Sequence, residues 1–480
     1  MGSVIPDRSA FTPQDTVAHI WDSLSLPKNA LDSLTFEEDG ADYPSSFKIG
    51  HLAQSTIALS ALGAALMHSL RRGPSIPKVT IPVRHACAEF KTEALFTING
   101  ERLPDTWGPI GGLHATSDGH IRIHDNFSHH RSGALRILGL DESASREDVS
   151  EQVRKWKKVE LEDAGYQNKC AMYALRSYAE WDASPHASAV SNFPIGIHKI
   201  DNSGPAELPS SMKDGSDKCL RELRVLELSR VIAAPVAGKT LAAHGADVLW
   251  VTSPNLPDLP SLDKNLMRGK RTIQLDLNNS TELEIMRGLL KDCDVFIQGY
   301  RPGSLANKGF STAEIAKLKP GIICANLSAF GSDGPWSDRR GFDSLVQTCS
   351  GMNVSEAEHY GDGAAARPMP CQALDHGGGY LLATGVMAAL YKRAIEGGSW
   401  EVNVSLAGVM KYLRSLAQRP GKEGFACADP TKDVPYEHFE EGESEFGYYR
   451  GLKHAALVDG AVPSFEHPPK PLGSDKAQWL

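Results

Sequence analysis

Five short apolar runs at regular spacing constrain this chain more than any other feature. LRVLEL begins at Leu223, and ADVLWV (246–251), TIQLD (272–276), DVFIQ (294–298) and GIICANL (321–327) follow. Helical stretches at 236–244, 281–291 and 312–317 separate them. A fully apolar run of this length reads as a strand buried on both faces, and strands alternating with helices build βαβ units. The expected fold class is therefore α/β: an open parallel Rossmann-like sheet flanked by helices, with a smaller α+β domain beside it. Gly245 stands where a helix must end before the second strand, and Pro302, Gly303 and Gly331 make turns just past strand ends. Those carboxyl ends are where open α/β sheets bind ligands.

Past the fifth strand lie GFDSLVQTCSG, a Gly/Ala-rich stretch and CQALDHGGGY, and then the apolar helix YLLATGVMAALYKR and the strand EVNVSL. The first half holds an echo of this last unit. HLAQSTIALSALGAALMHSLRR (51–72) is again a long apolar helix, followed by a turn and by KVTIPV, where Val79, Thr80 and Ile81 match Val402, Asn403 and Val404. The echo has no aspartate at the place of Asp375; it reads His51, Leu52, Ala53, Gln54. Internal similarity of this kind indicates duplicated structure. Residues 88–150 read as a small α+β module with a strand at HIRIH, and 151–190 as mostly helical. Residues 200–219 are rich in Ser, Pro and Gly and form a linker. The expected organisation is 1–199, the linker 200–219, a core at 220–414 and a wrapping tail at 415–480.

Composition excludes some functions. The net charge of −9 over 480 residues argues against a nucleic-acid or anionic-membrane partner, while a local basic pocket can still hold an anionic ligand. The longest strongly apolar stretch, 57–67, is too short to span a bilayer. MGSVIPDRSA carries no leader pattern, and the eight scattered cysteines, none in a CxxC, suggest no metal site and a reducing compartment. The expected location is cytoplasmic.

LRVLELSRVIAAPVAGKTLAAHGADVLWV, MRGKRTIQLDL, DCDVFIQGYRPGSLANKGF, LKPGIICANLSAFGSDGPW, GFDSLVQTCSG and ALDHGGGYLLATGVMAAL stand in one order between about 222 and 393. Together they resemble the family III coenzyme A transferases, the group of formyl-CoA transferases, carnitine CoA-transferases and α-methylacyl-CoA racemases. TWGPIGGLHATSDGHIRIH and LRSYAEWDASPHA resemble the family's small domain and a late helix. The chain thus resembles a family protomer with its halves in rearranged order. The resemblance implies acyl-CoA and a small carboxylic acid as substrates, coenzyme A as the carried group, no metal, and a homodimer.

It also implies roles. Asp375 matches the family's nucleophilic aspartate. Gly377 and Gly378, at a helix start, give a bulky thioester room and offer N–H groups to an oxyanion. Read without the family, Asp375 before three glycines equally suits a helix N-cap. Val231, Ile232 and Ala233 line the nucleotide. Arg268, Lys270 and Arg271 match a basic segment that meets phosphates, the other reading being a solvated basic turn. Tyr300 and Arg301 follow the fourth strand at the ligand edge. Two positions depart from the family: Thr252 to Pro254 where an acidic residue is usual, and Gly299 where Asn is frequent. Where the racemases place a proton-transferring histidine, this chain has Phe342. His376 is expected at the surface or behind the site. These features favour a CoA transferase over an isomerase, a lyase or a non-catalytic acyl-CoA binder.

Overall fold

The computed structural model describes residues 5–37, 40–212 and 217–480. Its centre is a seven-stranded sheet in the order Arg271–Gln274, Asp247–Thr252, Arg224–Leu228, Val295–Gln298, Ile323–Ser328, Ser399–Ser405, Ile195–Asp201. Six strands are parallel and the last is antiparallel. Strand order reverses between Arg224–Leu228 and Val295–Gln298, and a crevice opens at such a reversal, beyond the carboxyl ends of the strands. The helices Ser280–Asp292 and Thr312–Leu318 bury Met286, Leu289, Leu290 and Ile315 on one face. Ala233–Ala243 and Ala373–Glu396 cover the other. The expected α/β sheet is present, with strands within a residue or two of the apolar runs.

The smaller α+β part is a three-stranded antiparallel sheet, Gly112–Ala115, His120–Ile123 and Met172–Ala174. Helices Ser128–Leu138, Arg146–Val153 and Lys158–Gln167 pack on it through Leu135, Val149, Val153 and Leu161.

The internal echo is geometrically exact in length. Ile49–Arg72 and Ala373–Glu396 are both helices of 24 residues, each closed by a glycine at positive φ, Gly73 and Gly397. They lie against each other, and they touch at equivalent positions: a Cβ on Gly63 would sit 3.2 Å from Met387 Cβ, and each is the fifteenth residue of its helix. Strand Val79–Pro82 runs parallel to Leu34–Glu37 and antiparallel to Leu457–Val458. Its counterpart Ser399–Ser405 runs parallel to Ile323–Ser328 and antiparallel to Ile195–Asp201. Each half therefore sends a late strand across to the other half's sheet. The helix Ile49–Arg72 starts two residues before the expected 51–72, and its apolar character extends beyond the 57–67 stretch, which alone is too short to span a bilayer. It is long and apolar enough to cross a membrane, and 94% of its most apolar window is buried inside the protein.

The C-terminal segment closes the outer edge of the large sheet. His467 O accepts from Gly269 N at 2.8 Å, and Asp475 N donates to Thr272 O at 3.0 Å.

Candidate active site

Asp375 is the third residue of the Ala373–Glu396 helix, and it does not cap it. Capping falls to Asp343, whose Oδ2 accepts from Leu374 N at 2.7 Å and Asp375 N at 3.0 Å. The amide of Gln347 donates to the other oxygen of Asp343, and Asn353 Nδ2 donates to Gln347 Oε1 at 2.9 Å. The Asp375 carboxyl is thus free of helix duty. Burial, then the charges of Asp343 and Glu93, raise its pKa well above the ordinary carboxylate value. Asp343 is raised as well, chiefly by burial.

Glu93 comes from the turn Thr92–Ala94 in the first half of the chain. Its Oε2 lies 3.2 Å from His376 Nε2. Burial works to raise Glu93, but the imidazole's proximity and hydrogen bond outweigh it, so its pKa is lowered. His376 is only 1% exposed and stacks on Phe90 at 5.5 Å, so it stands behind the site, not at the surface.

Two cavities meet at Asp375, sharing Phe342, Val231 and Ile232 as walls. One, of about 430 Å³, is lined by Glu93, Trp107, His124, Asn126, Asp343 and Cys371. The other, of about 560 Å³, is lined by Arg230, Tyr300, Arg301, Arg340, His129 and His130. Val231 holds φ +71°, a conformation that β-branched residues rarely adopt, and so turns the chain sharply after the first strand. Ala233 opens the following helix beside the second cavity.

The basic cluster expected from the sequence is elsewhere. Arg268, Lys270 and Arg271 line neither cavity. Arg268 pairs with Glu440 at 3.0 Å, Lys270 with Glu227 at 2.9 Å and Arg271 with Asp247 at 2.8 Å, and all three side chains are buried. They fasten the first sheet strands to the C-terminal segment and to the helix Ala233–Ala243; Lys270 Nζ also donates to Pro235 O at 2.8 Å. Neither a phosphate site nor a solvated turn describes them.

The cations that line the second cavity are Arg230, Arg301 and Arg340. Among the described residues none of them has a carboxylate partner. Arg230 donates to Pro257 O and lies 4.4 Å from the Phe127 ring centroid, and Arg301 donates to Asp338 O at 3.2 Å. Three guanidinium groups around one cavity, none within ion-pair distance of a carboxylate among the described residues, suit an anionic ligand in a chain of net charge −9. Sequence reasoning found Arg301 and missed the other two. Their signal was position: Arg230 ends the first strand's loop, and Arg340 precedes Gly341 and Phe342.

Gly377 and Gly378 also line neither cavity. They lie inside the helix, where small size permits packing. A Cβ on Gly377 would meet Leu52 Cδ2 at 3.1 Å, and one on Gly379 would meet Ala233 O at 2.5 Å. Among the described residues no cluster of metal-ligating side chains occurs.

A buried carboxyl of raised pKa thus stands between a cavity that carries three arginines and one with aromatic walls. Residues 220–427 match the sequence profile of CoA-transferase family III. An acyl-CoA transferase of Gibberella moniliformis is 28% identical over 402 residues, which cover 75% of this chain and 70% of that one. The acetyl-coenzyme A transferase nodX of Hypoxylon pulicicidum is 30% identical, over 63% of this chain and 54% of its own length. A formyl-CoA:oxalate CoA-transferase of Rhodopseudomonas palustris is 32% identical, over 43% and 52%. The chain thus spans about half the length of the latter two. The crystal structure of Rv3272 from Mycobacterium tuberculosis aligns over 42% of this chain and 59% of that one, at 28% identity and a TM-score of 0.38.

Proposed function

We propose that the protein moves coenzyme A between two carboxylic acids with Asp375 as covalent carrier. The observation that carries this reading is the placement of Asp375 where the two cavities meet. The cavity with Arg230, Arg301 and Arg340 takes the phosphate-bearing end of CoA, and Tyr300 and Val231 flank its path. The cavity with Trp107, His124 and Phe342 takes the acyl group and, later, the acceptor acid.

In the first step the Asp375 carboxylate attacks the thioester carbonyl, the C–S bond breaks and CoA thiolate leaves, giving a mixed anhydride. The thiolate then attacks the aspartyl carbonyl of that anhydride. The donor acid departs as carboxylate, and an aspartyl-CoA thioester remains. The acceptor carboxylate reverses the two steps. No net proton is taken up or released. Burial and the charges of Asp343 and Glu93 oppose the ionised form of Asp375 that the attack requires, so only its deprotonated fraction reacts.

Acyl-CoAs of different chain length, followed by hydroxylamine or borohydride and peptide mass spectrometry, test this. The expected result is a label on the peptide holding Asp375, absent in Asp375→Asn. An unlabelled protein, together with full activity in Asp375→Asn, overturns the reading.

A further inference from the structure

An attack on a thioester pushes negative charge onto the carbonyl oxygen, and that oxygen needs a hydrogen-bond donor. The obvious donors at the start of the Ala373–Glu396 helix are already used. Leu374 N and Asp375 N donate to Asp343, and His376 N donates to Gln372 O at 3.1 Å. Gly377 and Gly378 are interior helix residues away from both cavities. The donor has to come from another part of the cavity wall.

His124 follows directly on the strand His120–Ile123 of the small sheet, so it comes from the first half of the chain. Its backbone N–H is tied to Ala171 O at 3.0 Å. Its ring stacks on Phe342 at 4.0 Å and 11°, with Trp107 edge-on at 5.9 Å, so two aromatic neighbours hold the imidazole. The residue is 5% exposed, lines the same cavity as Asp375, and its Nδ1 is buried with no hydrogen-bond partner among the described residues. Two residues on, Asn126 lines that cavity too, and its Oδ1 is likewise buried without a partner. The strand end thus places two polar side chains that the protein does not fully satisfy together on the wall of the cavity that holds Asp375.

Resting on the CoA-transfer reading, we propose that His124 is a catalytic residue of the site. Its Nε2–H donates to the thioester carbonyl oxygen and stabilises the oxyanion formed when Asp375 attacks. The proton belongs on Nε2, because the bare Nδ1 then buries only a lone pair. Burial, followed by the charges of His130 and Arg122, holds the imidazole neutral, so it acts as a polarising donor and does not give its proton away. Phe342 gains a role as well: it occupies the place of a proton-transferring residue and serves as the plate against which His124 is held.

Two measurements test the proposal. The first binds acetyl-CoA, carrying ¹³C at the carbonyl, to Asp375→Asn protein, where attack is blocked, and reads the carbonyl stretch by infrared difference spectroscopy. A shift to lower wavenumber relative to free acetyl-CoA is expected, and its loss in Asp375→Asn/His124→Phe. An unshifted band, or no bound acetyl-CoA, overturns the proposal. The second is the single-turnover rate of label arriving on the Asp375 peptide. His124→Phe keeps the stacking on Phe342 and is expected to slow labelling by about 10²–10³-fold, the range for one lost oxyanion donor. His124→Gln, which restores an N–H, should recover at least about tenfold of that loss if the donor is what matters. Equal rates in parent and His124→Phe overturn the role of His124 while leaving Asp375 as nucleophile. A parent that takes no label overturns both.

Discussion

The carboxyl of Asp375 is buried beside Asp343 and Glu93, so the folded chain holds a proton there that the unfolded chain gives up. A pKa raised on folding contributes stability below the unfolded value, and that contribution is lost as pH rises through the folded value. Asp375→Asn is therefore expected to raise the Tm by a few degrees at pH 8 and to leave it unchanged near pH 3, by differential scanning fluorimetry. Labelling of Asp375 should follow the opposite slope, rising with pH as the nucleophile ionises. Glu93→Gln removes one of the two charges that raise Asp375, so its labelling profile should move to lower pH. The same scale separates two kinds of arginine. Arg340→Gln deletes an unpaired cavity cation and should raise KM for acyl-CoA about tenfold, the worth of one charge-assisted contact of ~1.4 kcal/mol, with greater loss at low salt. Arg268→Gln leaves Glu440 without its buried partner, so it should lower unfolding stability by about 3 kcal/mol whether or not CoA is present. The sequence could not separate these two groups, because Glu440, Glu227 and Asp247 lie far along the chain from the segment they neutralise.

Helix packing at the site turns on which glycine carries the missing methyl. An added Cβ on Gly378 would have Leu406 Cδ2 as its nearest neighbour at 3.5 Å, an ordinary contact. On Gly379 it would stand 2.5 Å from Ala233 O and 2.6 Å from Val236 Cβ, against the backbone of the neighbouring helix. Gly378→Ala should thus stabilise the fold by about 0.5–1 kcal/mol through helix propensity. Gly379→Ala should destabilise it by about 1–3 kcal/mol through overpacking, read from urea midpoints. The element boundaries show where sequence suffices. The sheet strands are legible because an apolar run between turns has few other uses. The start of the Asp375 helix is less so. Three glycines suggest that it begins after them, whereas it begins at Ala373, because Asp343, at the start of the helix Asp343–Cys349, binds its first N–H groups. The family resemblance singles out Asp375 in the sequence, but not His124, Glu93 or Arg230. His124 and Glu93 come from the first half and reach the cavity only through the packing of the two halves, and no local pattern records that.

The two halves hold each other through reciprocal strands. Ile195–Asp201, at the end of the first half, pairs along its length with Ser399–Ser405. Leu457–Val458, near the end of the second, pairs with Val79–Pro82. The duplicated helices are legible in sequence because both are long, apolar and end in basic residues before a glycine turn. The crossing of strands between them is not, because strand pairing depends on register and not on composition. Such an architecture buries one half's apolar helix with the other half's surface, so neither half owns a complete core. A cut within residues 213–216, with the two pieces made together, should leave a complex that co-purifies, unfolds in one cooperative transition and labels at Asp375. Either piece alone exposes the face of a 24-residue helix that is otherwise buried and should aggregate. The second piece, although it holds Asp375, Phe342 and all three cavity arginines, should take no label, since Glu93, Trp107 and His124 stay with the first. A second piece that folds alone and labels at the parent rate would show that the site belongs to one half, and the reciprocal strands would then be fastening and nothing more.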